Sequence, residues 1–114
     1  MVTREQLLTI MNTANNSPEK ANMQDHFSNI CLYSKLAAEV GSPDFPMADE
    51  PHTPEQMAIL KEAANSVRVA RQSLMAIDEF CMKNNLAPIT DVDLRRPEIF
   101  KIYADFINKT IESL

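Results

Sequence analysis

The chain of 114 residues has one glycine, Gly41, and no tryptophan. An all-β domain needs turn residues every 8–12 positions or so, and with few β-branched runs this composition excludes that class and leaves all-α. Cysteine is equally scarce. Cys31 and Cys81 lack the short paired spacings of zinc sites and redox motifs, and each falls on an apolar helical face, where a buried, reduced thiol is expected. No stretch approaches the roughly 20 apolar residues that cross a bilayer. Met1-Val2-Thr3-Arg4-Glu5-Gln6 carries no basic segment followed by an apolar run, so the expectation is a cytoplasmic chain with no membrane partner. No catalytic, metal or nucleotide motif is present, and neither cysteine has a histidine at usable spacing for nucleophilic chemistry. No catalytic residue, cofactor or metal is therefore assigned.

Positive charge is what the first half lacks. The net charge is −5, and all of it resides in residues 1–57, where Arg4, Lys20 and Lys35 face Glu5, Glu19, Asp25, Glu39, Asp44, Asp49, Glu50 and Glu55. The remainder is balanced. An acidic chain without a basic face repels phosphate backbones, which argues against nucleic acid as a partner. The Arg95-Arg96 pair does not change this, since Asp91 and Asp93 stand beside it.

What is present is helical signal. Thr3 with Gln6 forms a capping-box pattern, so a short first helix starts near Arg4, buries Leu7, Ile10, Met11 and Ala14 with Leu8 on its flank, and stops at Asn15-Asn16. Ser17-Pro18-Glu19-Lys20 predicts the next start, with Ser17 as cap and Pro18 at the first helical position. This second helix runs to about Val40, and Gly41 suits the left-handed residue that often follows a helix. Its main stripe is Met23, Phe27, Ile30, Cys31, Ala37 and Ala38. A second patch of Leu32, Tyr33, Leu36 and Val40 calls for another helix or a partner to cover it.

The connection 42–53 is rich in proline and acid, which predicts extended or polyproline-like backbone. It is longer than the roughly 2–8 residues that join bundle helices. Phe45 and Met47 are its candidate anchors. His52 stands near Asp49 and Glu50, but Pro51 removes the helical geometry that a Glu-x-x-His metal pairing needs.

A third helix spans 53–84, opened by Thr53-Pro54-Glu55-Gln56 and closed by Asn84-Asn85. At 100° per residue, Leu60, Ala63, Val67, Ala70, Leu74, Ile77 and Cys81 form a seam flanked by Met57, Ala64, Met75 and Met82. Lys61, Asn65, Arg68, Gln72, Glu79 and Lys83 form a narrow solvated stripe. Ile59, Ser66, Val69, Ser73, Ala76 and Phe80 lie on a third side that another helix can approach. The methionines Met11, Met23, Met57, Met75 and Met82 read as core filler. At about 1.5 Å per residue the helix reaches roughly 46 Å, too long for a compact globule with a radius of gyration of about 13 Å. The bundle is then elongated, or the helix bends, or a second copy covers the overhang; the first and last helices laid end to end would cover what the second leaves.

After Pro88, Thr90-Asp91-Val92-Asp93 reads as a capped turn. A fourth, strongly amphipathic helix follows from Pro97, with Ile99, Phe100, Ile102, Tyr103, Phe106, Ile107, Ile111 and Leu114 inside and Glu98, Lys101, Asp105, Asn108 and Glu112 outside. No internal repeat is visible.

Arg71 and Asp78 fall within the apolar face of the third helix, where charge needs a partner. Either they form an interior polar site for a ligand, or Arg71 snorkels at the rim and Asp78 bonds a neighbouring helix or the chain after Pro88. His26, beside the core stripe, reads as a half-buried polar residue. The fold expected is an all-α, antiparallel four-helix bundle in one domain over 1–114: a short first helix, long second and third helices, and an amphipathic C-terminal helix. In architecture only, small acidic bundles of this kind resemble some bacterial immunity and adaptor proteins. The functional expectation is a non-catalytic module that binds a protein partner or itself through Leu32, Tyr33, Leu36, Val40, Phe45 and Met47. The alternative is a small-molecule sensor or enzyme using Arg71 and Asp78.

Overall fold

The computed structural model describes residues 2–89 and 96–114. Four helices follow one another: α1 (Arg4–Asn15), α2 (Lys20–Val40), α3 (Pro54–Lys83) and α4 (Pro97–Glu112). The two capping boxes read from sequence are both closed. Thr3 Oγ1 accepts from Gln6 N–H while Gln6 Oε1 accepts from Thr3 N–H, and Thr53 and Gln56 repeat the exchange. Two otherwise unpaired donors of each first turn are thereby satisfied. At the far end of α3, Asn85 takes a left-handed φ of 57°. Leu86 N–H then donates to Cys81 O and Asn85 N–H to Met82 O, the paired bonds of a Schellman ending.

Cross-helix partners set the directions. His26 and Asn29 meet Ser73, whereas Tyr33 and Val40 face Leu60 and Val67, so α2 and α3 are antiparallel. Ser34 bonds Asp105 and Lys35 pairs with Glu112 at 3.9 Å, while Lys101 lies beside Gly41, so α4 is also antiparallel to α2. It follows that α3 and α4 run the same way. Arg4 Nη2 donates to Ser113 Oγ at 3.5 Å, and α1 packs on the first half of α2, so α1 and α4 lie nearly end to end. The molecule measures 49 × 25 × 24 Å with a radius of gyration of 15.2 Å, which selects the elongated arrangement: α3, about 45 Å long at 1.5 Å per residue, spans its length.

The core is continuous from Val2 to Ile107. Leu7, Ile10, Ile30, Leu74, Ile77, Ile89, Phe100 and Ile107 are fully buried within it, each adding about 1.5–3 kcal/mol of burial. In α3, every buried residue lies at or beyond Ser66.

Several expectations are corrected. Helix α2 begins at Lys20, with Glu19 at the cap position and no side-chain cap. Ser17 Oγ instead donates to Ala14 O and accepts from Glu19 N–H within the turn that separates α1 from α2. Gly41 has φ −83°, so no left-handed residue ends α2. The segment 42–53 is built of turns: Phe45 N–H donates to Ser42 O, Glu50 N–H to Met47 O, and Ser42 Oγ and Glu50 Oε1 accept from Asp44 and Met47 N–H. These local acceptors outcompete the extended form. Among the methionines, Met23 is buried and Met11 packs on the core, but Met57, Met75 and Met82 are exposed. In α4, Ile102 points outward, as does Leu114 beyond its end, while Asn108 is buried and Asp105 is half-buried. The capped turn expected at 90–93 lies outside the described residues, as do Asp91, Asp93 and Arg95; Arg96 pairs with Glu98 at 3.0 Å.

Candidate functional site

Two grooves flank α2. The first holds about 640 Å³ between α1 and α2 and is closed by Ile111 of α4. Met11, Ala14, Met23, Phe27 and Leu32 make its floor, and Lys35 stands on its wall. It lies where the short α1 leaves Leu32 exposed and Cys31 half-buried on the outer side of α2.

The second holds about 500 Å³ between the C-terminal half of α2 and the N-terminal half of α3, with Pro97 of α4 at one end. Tyr33, Val40, Leu60, Ala63, Ala64 and Val67 line it, and Arg71 is its charged lining residue. The small side chains keep the two helices from filling the space between them. Phe100 organises this region. The Tyr33 ring lies 4.9 Å from it, tilted by 44°, and the Arg71 guanidinium carbon sits 5.6 Å from its centroid, within reach of a cation–π attraction. Burial pushes the Tyr33 hydroxyl above its ordinary range, opposed by nearby Arg71 and reinforced by Asp105.

The structure parts the residues grouped from sequence. Leu32, 46% exposed, belongs to the first groove; Tyr33 and Val40 belong to the second; Leu36 is buried. Phe45 packs on His52, ring centroids 5.6 Å apart, while Met47 is exposed. Arg71 and Asp78 have different surroundings. Asp78 Oδ1 accepts the Ile89 N–H at 2.8 Å, the contact to the chain after Pro88 that its spacing allows, and Ile89 is fully buried. Arg71 Nε is buried and has no hydrogen-bond acceptor among the described residues.

Three polar contacts escaped the sequence reading. Ser73 Oγ accepts from Asn29 Nδ2 at 3.0 Å and lies 3.1 Å from His26 Nδ1. Its place on the small third side of α3 was the available signal. Ser34 Oγ donates to Asp105 Oδ1 at 2.7 Å, a pairing across 71 positions with no local trace. Asn108 Nδ2 donates to Glu112 Oε1 at 3.3 Å while its Oδ1 has no partner among the described residues.

The thiols are free. Burial raises the Cys81 thiol to about 11, with Asp78 adding to it; burial also raises Cys31, against the opposing pull of Lys35. A protonated thiol is a poor nucleophile. Among the described residues, no three His, Cys, Asp or Glu side chains converge on a point that would hold a metal ion, and no helix is long and apolar enough to cross a membrane.

No protein-family model, curated protein or solved structure matches this chain.

Proposed function

We propose that the chain is a non-catalytic helical module that binds a protein partner or a second copy of itself. One observation carries this reading. Met57, Met75 and Met82 are 55%, 62% and 70% exposed, and at 100° per residue they fall, with Ala64, within about 20° of one another on α3. They mark a line on one side of α3 along most of the long axis, with Arg68 and Arg71 set within about 20° of that line between Met57 and Met75. Methionine is flexible and polarisable, suited to surfaces that adapt to a partner. The exposed Met47 and the acidic side chains of 42–53 add an anchor and a charge for steering.

Sedimentation velocity of the full chain across concentrations tests self-association, and cross-linking in source cells followed by mass spectrometry tests a heterologous partner. The variant M75E/M82E should abolish either contact while leaving the helical signal intact, because both side chains lie outside the core. A monomer at every concentration, together with cross-links unchanged by M75E/M82E and by deletion of 43–51, would refute the proposal.

A further inference from the structure

The second groove joins an apolar wall to a cation whose buried Nε has no acceptor among the described residues. Leu60, Ala63, Ala64, Val67 and Val40 supply the wall. Arg71 sits at its edge, its guanidinium carbon 5.6 Å from the Phe100 centroid and its buried Nε without an acceptor among the described residues. Leaving a buried N–H unmatched is costly for a folded protein, more so on a charged group. Among the described residues no carboxylate lines the groove, although the chain as a whole carries −5. A second cation stands nearby: the Lys101 ammonium lies 3.6 Å from where a Cβ on Gly41 would stand, and Gly41 lines the same groove. The Tyr33 hydroxyl borders the groove too, close enough to Arg71 to feel its charge. The groove offers about 500 Å³ and lies open to solvent along one side.

We propose that this groove binds an apolar monocarboxylate, its carboxylate on the Arg71 guanidinium and its hydrocarbon body along Leu60, Ala64 and Val67. The geometry asks for both halves. A guanidinium fork matches a carboxylate with two parallel hydrogen bonds, and Leu60, Ala64 and Val67 beyond it offer apolar contact. Asp78 has no part in this site, since its carboxylate faces the Ile89 amide. The groove shares Ala64 with the methionine line of α3, but Met57, Met75 and Met82 lie outside its lining, so Arg71→Met reads the ligand site and M75E/M82E the protein-binding surface.

The test is calorimetric titration of the full chain with decanoate below its micellar concentration, in parallel with decanol, acetate and an acidic amphipathic helical peptide. Decanoate should bind, acetate and decanol far more weakly. Arg71→Met keeps the side-chain body and should weaken decanoate roughly ten- to hundredfold, the worth of a charge-assisted hydrogen-bonded pair. Arg71→Lys should recover part of the loss. Ala64→Phe, at an exposed position, should block the groove without disturbing the core, which keeps the test valid if Arg71→Met unfolds. Lys35→Met in the other groove should change nothing. Equal binding of decanol and decanoate, retention of affinity in both Arg71→Met and Ala64→Phe, or loss in Lys35→Met instead would each overturn the assignment. So would binding of the peptide alone, which would make the groove a protein contact.

Discussion

Removing the Asp78 carboxylate separates two roles that the sequence left open. In the structure Asp78 Oδ1 accepts the Ile89 N–H at 2.8 Å, and this bond ties the connection after α3 back onto the helix, seating Ile89 in the core at 1% exposure. Asp78→Ala leaves that amide without its acceptor at a part-buried site. A hydrogen bond to a charged group is worth about 1.5–3 kcal/mol and an orphaned buried donor costs about as much, so the expected loss is about 2–3 kcal/mol. For a chain of this size that lowers Tm by roughly 10 °C. Asp78→Asn retains an oxygen acceptor and should lose only about 1 kcal/mol. Urea unfolding followed by circular dichroism at constant m-value reads both. Ile89→Ala, which opens a cavity at the other end of the tie, should cost about 2–4 kcal/mol, and the double variant with Asp78→Ala should cost less than the sum of the two singles. If Asp78→Ala lies within about 0.5 kcal/mol of the parent, a typical surface value, the carboxylate does not hold the connection and the structural account of this residue fails.

Thr53→Ala opens one capping box and should cost about 1 kcal/mol, seen as faster amide exchange in the first turns of α3, where no residue before Ser66 is buried. Ser73→Ala strips His26 and Asn29 of a common partner and should lower urea stability by about 1–2 kcal/mol; no change would mean the three groups contribute nothing jointly. Iodoacetamide at neutral pH should modify Cys81 only as fast as the chain unfolds, and Cys31, half-buried, sooner. Because the folded Cys81 thiol titrates at about 11 against an ordinary 9.0, the unfolded chain ionises it first. The stability this thiol contributes is complete below pH 9 and falls by about 2–3 kcal/mol as pH rises to 11. Cys81→Ala should flatten that part of the alkaline stability profile, and an unchanged profile would refute the assignment.

Features whose causes lie within a few residues were legible in the sequence. Thr3 and Thr53 announce their helices because the capping acceptor and donor are three positions apart, and Asn85 ends α3 because few other residues accept its φ of 57°. The start of α2 was misplaced because Ser17 closes a turn with Ala14 and Glu19 before the helix begins. What depends on the neighbouring helix could not be read locally. Met75 and Met82 flank the seam of α3 as convincingly as Ser73 and Phe80 flank its other side, and only the position of α2 buries the second pair. Asp105 and Asn108 looked solvated because Ser34 and the packing of α2 on α4 are distant in sequence. The second groove was invisible for the same reason: Val40, Val67 and Arg71 belong to different helices or faces until the bundle assembles them.

The shared direction of α3 and α4 makes the molecule an electrically lopsided rod. Both helices begin at the end where α2 finishes, and each peptide N-terminus presents roughly half a positive charge. Asp44, Asp49 and Glu50 of the connection 42–53 collect there, followed by Glu55 and Glu98 in the first turns of α3 and α4. Carboxylates that would repel one another along an open chain are thus gathered where the backbone offers compensating partial charge. Among the described residues, the opposite pole, where Lys83 pairs with Glu19 at 3.6 Å, lacks this concentration of acid. Two such rods brought together with their acidic poles touching repel, whereas two lying side by side in opposite senses place the acidic pole of each against the less acidic pole of the other. Any self-assembly of this chain is therefore biased toward lateral, antiparallel contact and away from growth by its acidic tip.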